Sequence, residues 1–173
     1  MTAAAIAKAS APVVDVIVES VLWDAAPDAE KAVCRAVGEA AHALGAAVDG
    51  RSLAVLLTDD ASSRRLNAQW RGLDKPTNVL SFPPAPVAHE TATKSLGDIA
   101  IAYETTAREA QSEDKAFLDH LTHLTVHGFL HLLGYDHEAA TQAEQMEQLE
   151  RAILRRLGIA DPYLTHSAEE VRG

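Results

Sequence analysis

Four short hydrophobic runs, separated by turn residues, predict four β-strands. The first two are rich in β-branched and aliphatic side chains, which favour strands. The predicted strands cover residues 13–18, 53–58, 78–82 and 96–102. The connection between the last two, residues 83–94, contains three prolines, so we expect a long loop that joins them as a hairpin.

Helical periodicity and end signals predict four helices around these strands. Pro27 is a favourable first residue, Gly45 a stop, and Asp59 or Asp60 a cap. The predicted helices cover about residues 27–44, 60–71, 114–133 and 138–157. The third is apolar on all sides except for its histidines, which indicates a buried central helix. The order β-α-β-α-β-β-α-α predicts an α+β fold with a small mixed four-stranded sheet packed with helices.

The length and composition indicate one globular domain. The chain has 173 residues, of which 47% are hydrophobic and 23% charged, a balance that excludes wholesale disorder. We expect a single catalytic domain at residues 13–157, a disordered N-terminal segment at residues 1–12 and a flexible C-terminal tail at residues 158–173.

The single cysteine and the lack of long apolar runs indicate a cytoplasmic protein. Cys34 has no internal disulfide partner, and its Ala/Val-rich surroundings predict that it is a small buried hydrophobe. No run reaches the roughly 18 apolar residues of a membrane helix, and the start of the chain does not resemble a signal peptide.

The charge is strongly acidic overall but locally basic. The formal net charge of −10 argues against a general polyanion-binding protein. Residues 51–75 carry five cationic and three acidic side chains, a net charge of +2. A basic island of this size suits a defined phosphate contact better than a long nucleic-acid groove.

The histidines near the end of the central helix predict a metal site. His127 and His131 are four residues apart and project from one helical face. Gly134 lets the chain turn back, so that His137 can close on the same point. Three imidazoles with an open fourth position are typical of catalytic zinc, whereas structural zinc sites are closed by four protein ligands. We therefore expect one zinc ion per chain.

Other polar residues near this site have two interpretations each. His123 and His120 lie on the same helical face as His127. Each could be a fourth metal ligand, but we expect both either to pack in the core or to hold a metal-binding histidine in position. Asp136 can orient an imidazole or shape the turn. The alternative for the whole cluster is that these histidines lie in the core with their hydrogen bonds made to other protein groups. This alternative leaves the free-energy cost of removing a row of imidazoles from water unexplained.

The spacing His-x3-His-x5-His also occurs in metzincin proteases, where glutamate follows the first histidine as general base. Here that position is Gly128. The downstream Met146 falls within a predicted helix instead of a turn. The sequence therefore predicts the same metal geometry with a different chemistry.

Two sequence blocks resemble the YbeY family of bacterial endoribonucleases. Residues 127–137 read His-Gly-Phe-Leu-His-Leu-Leu-Gly-Tyr-Asp-His, and residues 66–82 read Leu-Asn-Ala-Gln-Trp-Arg-Gly-Leu-Asp-Lys-Pro-Thr-Asn-Val-Leu-Ser-Phe. Leu-Gly-Asp-Ile follows at residues 96–99. The order and spacing of these blocks match the family across roughly residues 13–157.

This resemblance implies a single-strand-specific, metal-dependent endoribonuclease. The implied role is maturation of ribosomal RNA, particularly at the 3′ end of the small-subunit RNA, and ribosome quality control. The implied partners are ribosomal RNA and the small ribosomal subunit with its assembly proteins. The metal ligands map onto His127, His131 and His137, and the functional arginine maps onto Arg71. Ser81 and Asp98 on the predicted hairpin are substrate candidates, but for both we favour a structural role in satisfying the strand ends.

Two other functions stay open at this point. A zinc-containing ribosome assembly factor without catalytic activity would agree with the acidic charge. A metalloprotease is disfavoured by Gly128.

Overall fold

The computed structural model describes residues 11–84, 94–136 and 138–163, apart from the side chains of residues 46 and 47. The predicted N-terminal segment and most of the predicted loop at residues 83–94 lie outside this part of the chain. The same holds for most of the predicted C-terminal tail and for His137. The predicted domain limits therefore stay predictions.

The four strands form one mixed sheet, as predicted. They are β1 (Val13–Val18), β2 (Ser52–Thr58), β3 (Val79–Phe82) and β4 (Ser95–Ala102). The strand order is β1-β2-β4-β3. β1 is parallel to β2 and β2 to β4, while β3 is antiparallel to β4. The predicted hairpin is confirmed, and β3 lies at an edge of the sheet.

Five α-helices surround the sheet in the described residues. They are α1 (Ala29–Leu44), α2 (Asp60–Arg71), α3 (Tyr103–Ser112), α4 (Phe117–Leu132) and α5 (Ala140–Arg156). The Asp59 side chain caps α2 by accepting from the Ser62 amide at 2.9 Å. None of the described helices is long and apolar enough to cross a membrane.

Helix α3 is absent from the sequence-based prediction. It begins directly after β4, without a side chain capping its N-terminus, and it buries only Thr106 and Ala110. A short, mostly polar helix of this kind lacks the start signal and the apolar stripe by which helices are recognised. The remaining helices were predicted to within a few residues.

Helix α4 is the central element of the fold. It packs against β3 and β4 on one face of the sheet and also contacts α1, α3 and α5. Because side chains alternate along a strand, Val79, Ser81 and Ile99 lie on this face, near Gly128 of α4. Phe82 points to the opposite face, where α2 packs. The edge strand β3 therefore lies between the C-terminal halves of α2 and α4.

The prediction that Cys34 is buried is wrong, because its side chain is exposed on the outer face of α1. The inner face of this helix is formed by Val33, Ala36, Val37 and Ala40, all fully buried. Cys34 follows Val33 by one residue, about 100° around the helix, which turns it away from the core.

Candidate metal centre

Two imidazoles converge at the C-terminal end of α4. His127 Nε2 and His131 Nε2 lie 3.1 Å apart, and the two ring planes make an angle of 79°. The four-residue spacing of a helix brings the side chains together, as the sequence predicted. Each ring therefore directs the same nitrogen toward a shared point.

A buried carboxylate lies behind the first imidazole. Glu150 of α5 has no exposed surface, and its Oε1 lies 2.5 Å from His127 Nδ1. Burial alone would raise the pKa of Glu150, but hydrogen bonds from His123 and His127 and contact with Tyr163 lower it to about 2. At neutral pH this group is an ionised acceptor.

This contact fixes the role of each nitrogen of His127. An ionised carboxylate can only accept, so Nδ1 of His127 donates to Glu150, and in the neutral tautomer of the ring this leaves the lone pair on Nε2, which faces His131. Two nitrogens that bind one tetrahedral zinc at about 2.0–2.1 Å lie roughly 3.3–3.4 Å apart. The observed 3.1 Å is close to that separation. The two imidazoles could therefore supply two Nε2 ligands to one metal ion, with Glu150 orienting the first. Within the described residues, no group of three or more His, Cys, Asp or Glu side chains is arranged to hold a metal ion.

Glu150 also joins two further aromatic side chains to the site. Its Oε2 lies 3.1 Å from His123 Nε2 and accepts a hydrogen bond from the Tyr163 hydroxyl. Tyr163 itself contacts the guanidinium of Arg151, which lies 5.1 Å above the ring. His123 thus contacts the carboxylate that supports His127.

His120 belongs to a separate network nearer the start of α4. Its Nε2 lies 2.9 Å from Glu109 Oε1, and Glu109 also accepts from the Asn78 side chain at 2.9 Å. Burial acts to raise the pKa of Glu109, but the hydrogen bonds from His120 and Asn78 outweigh it and lower the pKa. This network joins α3 and α4 to the residue before β3.

The two histidines open onto a polar cleft of about 600 Å³ along the edge strand. Its floor is formed by residues 77–83, and Arg71, the last residue of α2, lines it from the other side. Arg71 is exposed, so its guanidinium is accessible to a ligand in the cleft. The structure therefore brings the predicted arginine and two of the predicted metal ligands to one cavity.

The remaining predicted site residues have different places. His137 lies outside the described residues. Asp136 and Ser81 line the cleft; Asp136 accepts from the Glu138 amide at 3.2 Å, and the Ser81 hydroxyl donates to the Gly128 carbonyl at 2.8 Å. Asp98 instead lines a neighbouring apolar groove on the α2 face of the sheet.

Gly128 faces the sheet instead of the cleft. A Cβ at this position would lie 3.1 Å from Val79 and 3.2 Å from both Ile99 and Ser81. The close approach of α4 to β3 and β4 therefore favours a residue without a side chain at this position. A glutamate here would have to enter the packed interface, away from the histidine pair.

Sequence reasoning missed Glu150. The signal that could have revealed it is its position in α5, where the other buried residues are Met146, Ile153 and Leu154. Glu150 occupies the same apolar stripe at helical spacing, and a carboxylate there needs a buried partner.

The fold and the cleft define a small α+β domain with a histidine pair and an arginine around one polar cavity. Comparison with known proteins identifies its family. A family model described as endoribonuclease YbeY matches residues 22–158, and the chain belongs to this family.

Individual relatives are similar over most of the chain. A protein of Rhodopseudomonas palustris (strain BisA53), named endoribonuclease YbeY, is 56% identical over 155 residues, covering 88% of this chain and 90% of the relative. A protein of the same name from Bradyrhizobium sp. (strain BTAi1) is 54% identical and covers 88% and 92%. The solution structure of TM1509 from Thermotoga maritima is 23% identical, with a TM-score of 0.46 and coverage of 84% and 91%.

Proposed function

We propose that this protein is a zinc-dependent endoribonuclease that cleaves single-stranded RNA during maturation of ribosomal RNA. Membership of the endoribonuclease YbeY family supports an RNA-cleaving hydrolase that acts in rRNA processing. The observation that carries the metal-dependent part is the convergence of His127 Nε2 and His131 Nε2 with a buried carboxylate behind the first ring.

The proposal also includes a particular cleavage site on ribosomal RNA and a compartment of the cell. We infer that the protein acts in the cytoplasm at the 3′ end of small-subunit ribosomal RNA and in ribosome quality control. Its partners would then be the small ribosomal subunit and its assembly proteins. The local net charge of +2 at residues 51–75 supports a limited RNA contact in an otherwise acidic protein.

One zinc ion would be held by His127, His131 and His137. When bound, zinc supplies Lewis acidity, which polarises a phosphoryl oxygen and lowers the pKa of water. Glu150 holds the His127 ring in the tautomer that leaves Nε2 free of a proton. The open cleft in front of the histidines gives an RNA strand access to them.

Arg71 would bind the phosphate that is cleaved. Its planar guanidinium can donate two parallel hydrogen bonds to phosphate oxygens, and it lines the same cleft as the histidines. A donor at this position stabilises negative charge as it develops on the phosphate in the transition state.

The test is cleavage of a defined single-stranded RNA by the purified, zinc-loaded protein. We expect cuts in the single strand, none in the matching duplex, and none with His131→Ala. His42→Ala is the matched control, because His42 is exposed on α1, away from the cleft residues. An RNA that carries the precursor 3′ end of the small-subunit RNA then tests the predicted cleavage site.

The outcomes separate the alternatives. A folded, zinc-loaded protein that cuts no RNA would contradict the nuclease and favour a non-catalytic assembly factor. Chelator-sensitive digestion of casein would favour a metalloprotease, which Gly128 disfavours because a side chain there would enter the α4–sheet interface.

A further inference from the structure

Trp70 is the only Phe, Trp or Tyr residue in the described part of the chain whose side chain is mostly exposed. All eight Phe, Trp and Tyr residues of the chain are within the described residues, and the other seven are buried or half-buried. The side chain of Trp70 is 64% exposed. Leaving an indole in water forgoes the stabilisation that its burial would give, and its exposure leaves the ring accessible to a ligand.

The indole is held in place at the end of α2. Trp70 directly precedes Arg71, and its ring leans on Phe82 of β3, with the ring centroids 5.8 Å apart and the planes at 59°. This contact supports one side of the indole and leaves the remainder open. A supported aromatic loses little conformational entropy when a flat ligand stacks on it.

Trp70 lies where two cavities meet. Together with Phe82 and Pro83 it lines the polar cleft that contains His127 and His131. The same three side chains line the apolar groove of about 720 Å³ on the α2 face of the sheet. The other side chains of this groove are mainly aliphatic, among them Leu56, Leu66 and Ala100. A ligand can therefore have its charged part in the cleft and a flat apolar part at Trp70.

We propose that Trp70 is a stacking platform for one base of the single-stranded RNA substrate, next to the phosphate bound by Arg71. This inference rests on the proposed function. Single-stranded nucleic acids are typically bound by a cationic group on the phosphate beside an aromatic ring on which a base stacks, and stacking tolerates every base. A protein partner on the same groove is the competing occupant, and the continuity of Trp70 with the arginine and histidine cleft favours the base.

Steady-state cleavage of a defined single-stranded RNA tests the platform. Stacking of one base on an aromatic ring predicts that Trp70→Ala raises KM by about 5- to 150-fold while kcat changes little. Trp70→Phe keeps a stacking surface and retains most of the affinity. Val21→Ala is the control, because Val21 is 81% exposed, lies outside both cavities and loses apolar surface elsewhere. Circular dichroism and zinc content are measured on each variant.

A second experiment tests the contact base by base. The substrate is made with a single abasic nucleotide at each position around the cleavage site in turn. At one position, removal of the base should raise KM for the wild type but not for Trp70→Ala, because the variant already lacks the ring on which that base stacks. Additive effects of the variant and the abasic nucleotide at every position would overturn the proposal.

Fluorescence separates this proposal from the nuclease function itself. The second tryptophan, Trp23, is buried and donates from Nε1 to the Thr58 carbonyl at 2.8 Å, so it is shielded from ligands. Binding of a short oligodeoxyadenylate should quench the wild type and leave Trp70→Phe unquenched. Quenching without RNA cleavage would contradict the proposed nuclease and support the base site. Cleavage with unchanged KM in Trp70→Ala would overturn the base site and leave the nuclease standing.

Discussion

The buried carboxylate of Glu150 allows a test of the proposed metal centre that leaves every proposed ligand unchanged. Glu150→Gln keeps the size and shape of the side chain but removes its charge and replaces one acceptor oxygen with a donor amide. If the amide nitrogen faced His127 Nδ1, two donors would oppose each other across the present 2.5 Å contact. If the amide oxygen faced it, the hydrogen bond would lose its ionic partner.

The structure sets the expected size of the effect. Substitution of a group that orients a metal-binding histidine typically lowers metal affinity by about 10–100-fold, which corresponds to about 1.4–2.8 kcal/mol. Glu150 has no exposed surface, so water cannot replace the lost acceptor. Hydrogen bonds with an ionised partner are about twice as strong as neutral ones. We therefore expect a decrease near the upper end of this range.

Competition with a zinc-binding chromophore at neutral pH measures the affinity, and circular dichroism checks the fold. Glu144→Gln is the matched control, because Glu144 is an exposed residue of the same helix, and it should bind zinc like the wild type. A folded Glu150→Gln protein with the same zinc affinity as Glu144→Gln would refute the orienting role of this carboxylate.

Three further predictions concern the cleft and its supports. Arg71→Ala should fold and keep its zinc but cleave RNA about 10²-fold more slowly. Arg71→Lys should restore only part of the cleavage rate, because an ammonium group keeps the charge but not the planar pair of donors. Full activity of the alanine variant would exclude the phosphate contact. Gly128→Ala should lower the unfolding free energy by about 1 kcal/mol in urea titrations, because the new Cβ overpacks the α4–sheet interface by more than the gain in helix propensity. Gly38→Ala is the control: its Cβ would have open space, so this variant should raise the unfolding free energy by about 0.5–1 kcal/mol. Because the pKa of Glu109 is lowered in the fold, its ionised form stabilises the protein above the unfolded pKa of about 4.3 and this contribution is lost as the pH falls. Glu109→Gln should therefore show a shallower loss of unfolding free energy than the wild type between about pH 5 and 3, and parallel curves would contradict this.

The sequence predicted those features that depend on local spacing. β1 was placed at its observed residues because six consecutive residues carry mostly β-branched side chains. The convergence of His127 and His131 followed from the helical repeat alone. Arg71 was found through the resemblance of its block to a family, since an exposed arginine at a helix end has no signal of its own.

The features that escaped prediction depend on how distant segments pack. The contact between Glu150 and His127 spans 23 residues and exists only because α5 packs against α4. The exposure of Cys34 depends on which face of an alanine-rich helix meets the core, and small side chains on every face leave this choice open. The place of Trp70 between two cavities likewise depends on the packing of α2 beside the edge strand.

The zinc content of the protein tests the central claim most directly. Protein purified without added metal is assayed by elemental analysis, beside a variant in which His127, His131 and His137 are all alanine. The account predicts close to one equivalent of zinc per chain in the wild type and almost none in the folded variant. An equal zinc content in both proteins would contradict the assignment of these histidines as ligands.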